Sequence, residues 1–317
     1  MKRAWGVAVL LVLMLAQTAS ADRGLWVIRW RIRPIPLPRP DDVTPPDWDP
    51  YDGVAAPPPI AVHEPKQEAL LAWSGTEEIL VLATDLRASS PSQVLEVLPL
   101  PSEPKVDKGD VKVFEKAMTL IQEKQPRRGP GAVMAPAPGG EVTQQKRIGA
   151  HNISVTHVLS NEEFVDWVEK YLKDLGVTTW KVPDSMRKTI GEYLQEGYKW
   201  FVFDVVEVGT ETASHDAIQY RFKTDHLYYP LKVTRDAAGE TDIRLFVVTP
   251  QMLRRFDGIA RKEVAVPIPP VALNQREVAQ LGKDVANLLR GSSTVQLRYW
   301  ELGGKLSDFT EDIIVRP

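Results

Sequence analysis

Two serine–lysine pairs have the spacing that a serine hydrolase could use. Ser102 precedes Lys105 and Ser185 precedes Lys188, each in a Ser-x-x-Lys pattern. At the start of a helix this spacing can place a lysine base beside a serine nucleophile, as in penicillin-interacting enzymes. The second pair lies at a predicted helix start, but the companion SDN and KTG motifs are absent from the sequence. We keep Ser185 and Lys188 as candidate catalytic residues and favour the interpretation that both are ordinary helix-surface residues.

The histidines of the sequence do not form a metal-binding motif within any short segment. The sequence has no cysteine, which removes thiolate ligands and cysteine nucleophiles. None of the histidines lies two or four residues from another, so a metal site would have to be assembled from distant segments. The sequence therefore predicts no metal site and no cofactor. The five histidines are His63, His151, His157, His215 and His226.

One histidine follows an aspartate directly, at Asp225-His226. Neighbouring residues on a strand point to opposite faces, so they would not act there as an acid–base dyad. We interpret the pair as a turn residue followed by the start of a strand.

The segment FKTDHLYYPLKVT, residues 222–234, offers aromatic rings for binding. Strand alternation would point Tyr229 inward and Tyr228 outward. With Tyr220 or Trp300 from other strands, Tyr228 could then form an exposed aromatic surface that stacks on sugars or holds peptides. These three residues are the candidate ligand-binding residues. The interpretation that we favour is that most of these rings belong to the core.

Charge and motif content exclude several classes of function. The formal net charge is -3, from 39 Lys and Arg against 42 Asp and Glu, so no strong field would attract nucleic acid. The sequence lacks Walker A, HExxH, GxGxxG, GxSxG and EF-hand motifs. We therefore expect no nucleic-acid partner and no enzyme of these motif-defined classes.

The N-terminus predicts export. Lys2 and Arg3 precede an uncharged apolar run at 4–16, and Ala-Ser-Ala at 19–21 forms a small-x-small cleavage pattern. These features predict a secretory signal peptide at 1–21. The apolar run is too short to span a bilayer comfortably, so we expect no transmembrane anchor after cleavage. The expected location is periplasmic or extracellular.

The rest of the chain divides by composition. Residues 22–59 begin with a strand in which Trp26 and Ile28 share a face, and then carry ten prolines between 34 and 59. This density predicts an extended strap or linker. Residues 60–317 form the predicted body, interrupted at 126–143 by a Pro- and Gly-rich excursion.

Apolar periodicity in the body predicts an α+β fold with a largely antiparallel sheet and several packed helices. Strand patterns include EALLAW, EEILVLATDL, QVLEVLPLP, ISVTHVL, KWFVFDVVEV and IRLFVVTP. Capping residues predict helices after Asp110, Ser160, Asp184 and Asn274.

Several segments in order resemble a known family. The signal sequence, EVLPLPSEPKV, EGYKWFVFDV and FKTDHLYYPLKVT are similar to the bacterial exported family called domain of unknown function 2330. The resemblance covers about Ala61 to Pro250 and implies an exported bacterial α+β protein, with no activity or site residues to carry over. Relatives in that family often show cysteines near the mature N-terminus, and this chain has none, which puts any cysteine-dependent role in doubt.

The leading hypothesis is a non-catalytic binding or accessory protein of the bacterial cell envelope, with a glycan or a protein as its partner. One alternative is a hydrolase acting on envelope polymers. The other is an assembly module that docks a partner through the N-terminal strand.

Overall fold

The computed structural model describes most of the chain from the first predicted strand onward. The described residues are 24–30, 62–125, 151–177, 180–214, 216–236, 240–253, 256, 259, 263–264 and 268–316. The predicted signal peptide, the proline-rich residues 34–59 and the predicted excursion at 126–143 lie outside these ranges.

The described residues contain fifteen strands and five α-helices. The strands are β1 (Gly24–Trp30), β2 (Val62–Trp73), β3 (Glu77–Ala88), β4 (Ser92–Leu100), β5 (Lys105–Lys108), β6 (His151–His157), β7 (Trp200–Val208), β8 (Ala213–Ser214), β9 (Ile218–Lys223), β10 (Leu227–Tyr229), β11 (Glu240–Thr249), β12 (Glu263–Val264), β13 (Ile268–Leu273), β14 (Val295–Lys305) and β15 (Ile313–Val315). The helices are α1 (Lys112–Lys124), α2 (Asn161–Asp174), α3 (Asp184–Gln195), α4 (Gln275–Gln280) and α5 (Lys283–Leu288). Short 3-10 turns lie at Lys232–Thr234 and Leu306–Asp308.

The strands form two sheets and a ribbon. A nine-stranded sheet has the order β12-β14-β11-β2-β3-β9-β5, with β13 also on β14 and β8 also on β3. A four-stranded sheet has the order β1-β4-β7-β6, and β10 pairs with β15. The pairing of β2 with β11 is parallel and the other described pairings are antiparallel. The predicted α+β class with a largely antiparallel sheet is confirmed.

Both faces of the nine-stranded sheet are covered at its centre. Leu70 and Ala72 of β2 pack with apolar residues of α1, α4 and α5, while Leu71 and Trp73 contribute to the main core on the other face. A strand that is buried on both faces needs apolar residues at successive positions. For this reason residues 69–73 of β2, ALLAW, are apolar at every position rather than at alternate positions.

The four-stranded sheet carries α2 on one face. The ring of Phe164 lies 5.8 Å from that of Phe203, and Trp167 lies 4.5 Å from the same Phe203 ring. Ser160 begins the helix as predicted, because its hydroxyl accepts a hydrogen bond from the Glu163 backbone N–H at 3.2 Å. The capping signal therefore fixes where α2 starts, and its aromatic residues fix which face of the sheet it covers.

Two helix predictions need correction. Asp184 is the first residue of α3, and Pro183 occupies the cap position with no side-chain hydrogen bond. The predicted helix after Asn274 has the expected capping box with Glu277, but it is divided into α4 and α5 at Gly282. Gly282 has a φ of 118°, which side-chain-bearing residues rarely adopt, so the helix cannot continue through it.

The segment around the paired tyrosines is a buried ribbon rather than a long alternating strand. β10 ends at Tyr229, Pro230 follows it, and a 3-10 turn begins at Lys232. Tyr228 and Tyr229 are both 0% exposed, so the prediction that Tyr228 points outward was wrong. Alternation separates two faces of a strand, but here both faces meet other layers of the protein.

The N-terminal strand is part of the four-stranded sheet. β1 pairs antiparallel with β4, and Trp26 and Ile28 pack into the main core. The predicted packing of the tryptophan side of this strand on the core is confirmed. Removing residues 22–59 would therefore remove an edge strand of the sheet along with the proline-rich segment.

This packing predicts the effect of truncating Ile28, which is 6% exposed. Ile28→Ala should lower the free energy of unfolding by about 2–5 kcal/mol, because it removes buried methyl groups and leaves a cavity. Urea unfolding followed by circular dichroism measures the change. The matched control is Ile314→Ala in β15, because Ile314 is 40% exposed and should lose less than about 1 kcal/mol. Equal losses for the two variants would show that β1 does not pack as described.

Candidate functional site

Three potential metal ligands meet on the four-stranded sheet. Glu96 lies on β4, Asp204 on β7 and His151 on β6, so three adjacent strands each supply one side chain. Glu96 and Asp204 are directly opposite in the β4–β7 register, and His151 pairs with Val206, two residues along β7 from Asp204. Alternation places all three side chains on the same face of the sheet. It is the face opposite α2.

The three groups are close together and closed off from solvent. Nδ1 of His151 lies 2.5 Å from Oδ2 of Asp204, and one ligand atom from each of the three residues lies within 4.8 Å of the others. Glu96 is 1% exposed and Asp204 is 2% exposed. The His151 side chain is also 2% exposed. We call these residues the carboxylate–histidine cluster.

Aliphatic residues surround one end of the carboxylate–histidine cluster. Val94 and Val206 lie on the same sheet face and belong to a small apolar group with Leu86 and Ala88 of β3. The cluster is thus bordered by packed side chains rather than by an open surface. Carboxylates and an imidazole in such surroundings can share a proton through hydrogen bonds or coordinate a cation.

Sequence reasoning missed the cluster, although a signal was present. Asp204 stands alone in the apolar run WFVFDVV, and Glu96 stands alone in QVLEVLPL. Acidic residues are almost never fully buried unless they are paired, so a single carboxylate inside a central strand marks a special position. The third member, His151, could be placed only by knowing that β6 pairs with β7. The prediction of no metal site rested on histidine spacing, which does not detect a site built across strands.

The predicted serine–lysine pair lies on the surface. Ser185 and Lys188 are exposed residues in the first turns of α3. Their catalytic role stays a prediction. Ser102, from the other Ser-x-x-Lys pattern, has a structural contact: its hydroxyl donates to the Lys223 carbonyl at 2.7 Å and accepts from the Lys223 N–H at 2.9 Å.

The predicted exposed aromatic surface is not present. Tyr220 is 1% exposed and Tyr228 is 0% exposed, because both rings lie in the main core. Trp300 is half-buried, with its ring 4.6 Å from that of Phe256. Since Tyr220 and Tyr228 pack against other layers, neither can offer a ring face to a ligand from solvent. The favoured core interpretation is confirmed for these two tyrosines.

The Asp225-His226 pair combines one confirmed prediction and one error. The two residues form a bend directly before β10, as the turn interpretation predicted. However, Nδ1 of His226 lies 2.6 Å from Oδ1 of Asp225, so the two side chains do interact. The opposite-faces argument applies to strand geometry and fails in a bend. The hydrogen bond from His226 lowers the pKa of the exposed Asp225 carboxyl group.

A second buried carboxyl group supports the ribbon. Oε2 of Glu78, at the start of β3, accepts a hydrogen bond from the Tyr228 backbone N–H at 2.8 Å. Burial raises the pKa of Glu78 well above its ordinary value, and the Tyr228 hydrogen bond offsets only part of this. The preceding residue of β3, Glu77, points to the opposite face of the sheet. There a hydrogen bond from Arg221 at 2.6 Å lowers the pKa of the half-buried Glu77 carboxyl group.

Comparison with protein families identifies relatives of the chain. A bacterial family described as an uncharacterized protein conserved in bacteria, DUF2330, matches residues 53–268, which is more than half of the 317 residues. The chain belongs to this family. The resemblance expected from the sequence is therefore confirmed. Among curated proteins, none matches the chain in sequence.

Solved structures show a distant likeness. Baculovirus P35 has a TM-score of 0.45 and 10% identity, covering 81% of this chain and 97% of that chain. A chain of the caspase-8/P35 complex has a TM-score of 0.34 and 11% identity, covering 80% of this chain and 96% of that chain. With TM-scores below 0.5, these likenesses have no bearing on the function of this chain.

The opposite pKa directions of Glu77 and Glu78 predict opposite effects on stability. The folded-state pKa of Glu78 lies above its unfolded value, so the folded protein loses stability as pH rises from about 4.3 toward that folded-state pKa. Glu78→Gln keeps an acceptor for the Tyr228 N–H and removes the ionisation. Relative to wild type, its free energy of unfolding should therefore increase as pH rises from 4 to 8.

Urea unfolding at several pH values between 4 and 8 measures this difference. Glu77→Gln is the matched control on the adjacent position. Because the folded-state pKa of Glu77 is lowered, its carboxylate stabilises the fold above the unfolded pKa, and this stabilisation is lost as pH falls. Glu77→Gln should therefore be less stable than wild type near pH 7, with the difference shrinking in acid. A parallel pH dependence of both variants would contradict the assignment.

Proposed function

We propose that the protein is an exported accessory protein of the bacterial cell envelope, which binds a glycan or a protein partner without chemically altering it. The observation that carries the proposal is the enclosure of the carboxylate–histidine cluster. This cluster has the residue types of an acid–base site, but its three side chains are at most 2% exposed. An envelope polymer could not reach them without opening the sheet.

A hydrolase active site requires an arrangement of side chains that Ser185 and Lys188 do not have. A nucleophile and its base must meet within hydrogen-bond reach at a concave site that a substrate can enter. Ser185 and Lys188 lie instead on the outer surface of α3. Their exposure favours a binding or accessory role over the hydrolase alternative. The N-terminal docking alternative is restricted to one edge of β1, because the other edge of this strand pairs with β4 of its own sheet.

Export is supported by the order of features at the N-terminus. Two basic residues, an apolar run and a small-x-small pattern precede the first strand at Gly24. No helix among the described residues is long and apolar enough to cross a membrane. The family itself is bacterial. The order of the N-terminal features agrees with a secretion signal followed by a folded body.

Fractionation of bacteria producing the full chain tests the location. We expect the protein in the periplasm or medium, with an N-terminus at Asp22 after signal removal. Leu11→Arg places a charge in the apolar run and should retain the uncleaved precursor inside the cell, because the signal depends on that run being apolar. Leu11→Ile is the matched control and should be exported normally. Uncleaved wild-type protein in the cytoplasm would overturn the proposed location.

Binding and catalysis can be separated with the mature chain from Asp22. Immobilised protein should retain an envelope component saturably, and labelled envelope polymers should be recovered chemically unchanged. An active-site serine probe should not label Ser185, because an exposed helix serine lacks activation. Turnover of an envelope polymer that Ser185→Ala abolishes would overturn the proposal in favour of the hydrolase. Failure to retain any envelope component would overturn the binding role directly.

A further inference from the structure

We propose that the carboxylate–histidine cluster of Glu96, His151 and Asp204 is a binding site for a divalent transition-metal ion of the zinc type. The ion would link β4, β7 and β6. The proposal stands on three observations: the chemistry of the side chains, their mutual distances and their enclosure. None of these depends on the location or the partner of the protein.

The ligand chemistry favours zinc-like ions. Imidazole nitrogen is a preferred ligand of zinc and its transition-metal neighbours, while calcium and magnesium select oxygen ligands. Two carboxylates complete a set of one nitrogen and at least two oxygens, and their charges balance a divalent ion. The chain has no cysteine, so a thiolate-rich centre is excluded and a nitrogen–oxygen centre is the available type.

The distances are close to what coordination requires. Zinc binds nitrogen and oxygen ligands at about 2.0–2.2 Å, which places ligand atoms about 3.4 Å apart in a tetrahedron. The ligand atoms of Glu96, His151 and Asp204 already lie within 4.8 Å of one another. Nδ1 of His151 and Oδ2 of Asp204, which lie 2.5 Å apart, must separate to about 3.4 Å for both to coordinate one ion. The sheet supplies this preorganisation, because adjacent strands fix the three backbones by register.

Position in the sheet gives the ion an electrostatic role. Glu96 and Asp204 are directly opposite on antiparallel strands. A divalent cation bound between them would attract both carboxylates. Because the side chains are enclosed, the attraction is screened less than it would be at the surface. The strand β6 lies at one end of the four-stranded sheet. By coordinating a side chain from each strand, the ion would stabilise the association of β6 with β7 and β4.

Enclosure assigns the ion a structural role rather than a catalytic one. Three ligand residues leave a fourth position of a tetrahedral ion for the second oxygen of a carboxylate or for a water molecule, and the enclosure keeps that position away from substrates. Side chains that are 1–2% exposed leave no route for a polymer substrate. A small ion can still enter, because local opening of an edge strand such as β6 is a common fluctuation in folded proteins.

The test begins with the metal content of the full-length mature protein, purified without a histidine tag. Elemental analysis before and after chelator treatment is followed by calorimetric titration of the chelated protein with Zn²⁺. We expect one ion per chain and a dissociation constant of about 1 µM or lower, with a zinc-dependent rise in the thermal unfolding midpoint. Calcium should compete poorly.

Three variants locate the ion, and one control excludes surface binding. Glu96→Gln and Asp204→Asn preserve side-chain volume, and His151→Ala removes the imidazole. Each should weaken zinc binding at least about tenfold, since loss of outer-shell partners alone costs 10–100-fold. His157→Ala is the matched control, because His157 lies on the same strand but is exposed. It should bind zinc like the wild type.

The outcomes separate the site from its alternatives. Circular dichroism establishes that each variant is folded, and the two isosteric variants keep the test decisive if His151→Ala unfolds. Absence of metal in the purified protein together with no stoichiometric titration would overturn the proposal and leave a hydrogen-bonded acid–histidine cluster. Unchanged zinc affinity in Glu96→Gln and Asp204→Asn would overturn it as well, because the ion would then lie elsewhere.

Discussion

The carboxylate of Asp312 connects three parts of the chain that are distant in sequence. Its Oδ1 accepts hydrogen bonds from the backbone N–H groups of Leu231 and Lys232, each at 2.8 Å, and from the Tyr193 hydroxyl at 2.8 Å. Its Oδ2 accepts from the Tyr228 hydroxyl at 3.3 Å. Removal from water raises the pKa of Asp312, and these donors offset part of that effect. The ribbon, the 3-10 turn and α3 can occupy their observed positions only if these donors are satisfied together.

Charges and rings around Asp312 extend this constraint. The Lys232 ammonium lies 2.5 Å from Glu196 and 4.3 Å from the centre of the Tyr193 ring. Tyr228 also donates to the Pro99 carbonyl of β4 at 3.3 Å, and its backbone N–H reaches Glu78 of β3. Tyr228 thus contacts a strand from each of the two sheets. The tyrosine-rich segment FKTDHLYYPLKVT is explained by this structural role, which leaves its rings unavailable for ligand recognition.

Local features of the fold could be predicted from the sequence, and long-range ones could not. The apolar runs EALLAW and EEILVLATDL and the Asn274 capping box depend on neighbouring residues, so β2, β3 and the start of α4 were predicted correctly. The parallel pairing of β2 with β11 depends on strands that are far apart, and periodicity carries no information about it. Alternation in LYYPLKVT predicted one exposed face because no local signal reveals that both sides of a short ribbon are covered. The same limit applies to the carboxylate–histidine cluster, whose members share no sequence motif.

The carboxylate of Asp312 and the pair formed by Glu96 and Asp204 differ in the groups that surround them. Asp312 is held by amide and hydroxyl donors, which suit a permanently fixed carboxylate. Glu96 and Asp204 lie close to each other and to an imidazole, and carboxylates and imidazoles are ligands of transition-metal ions. Buried charged groups can often be replaced by apolar residues of similar volume without loss of stability, so folding alone does not require them in the middle of apolar strands. Positions that depart from an otherwise consistent apolar pattern are where function is expected. The physical contrast with Asp312 therefore separates a carboxylate that completes the fold from a cluster whose residue types suit the proposed metal ion.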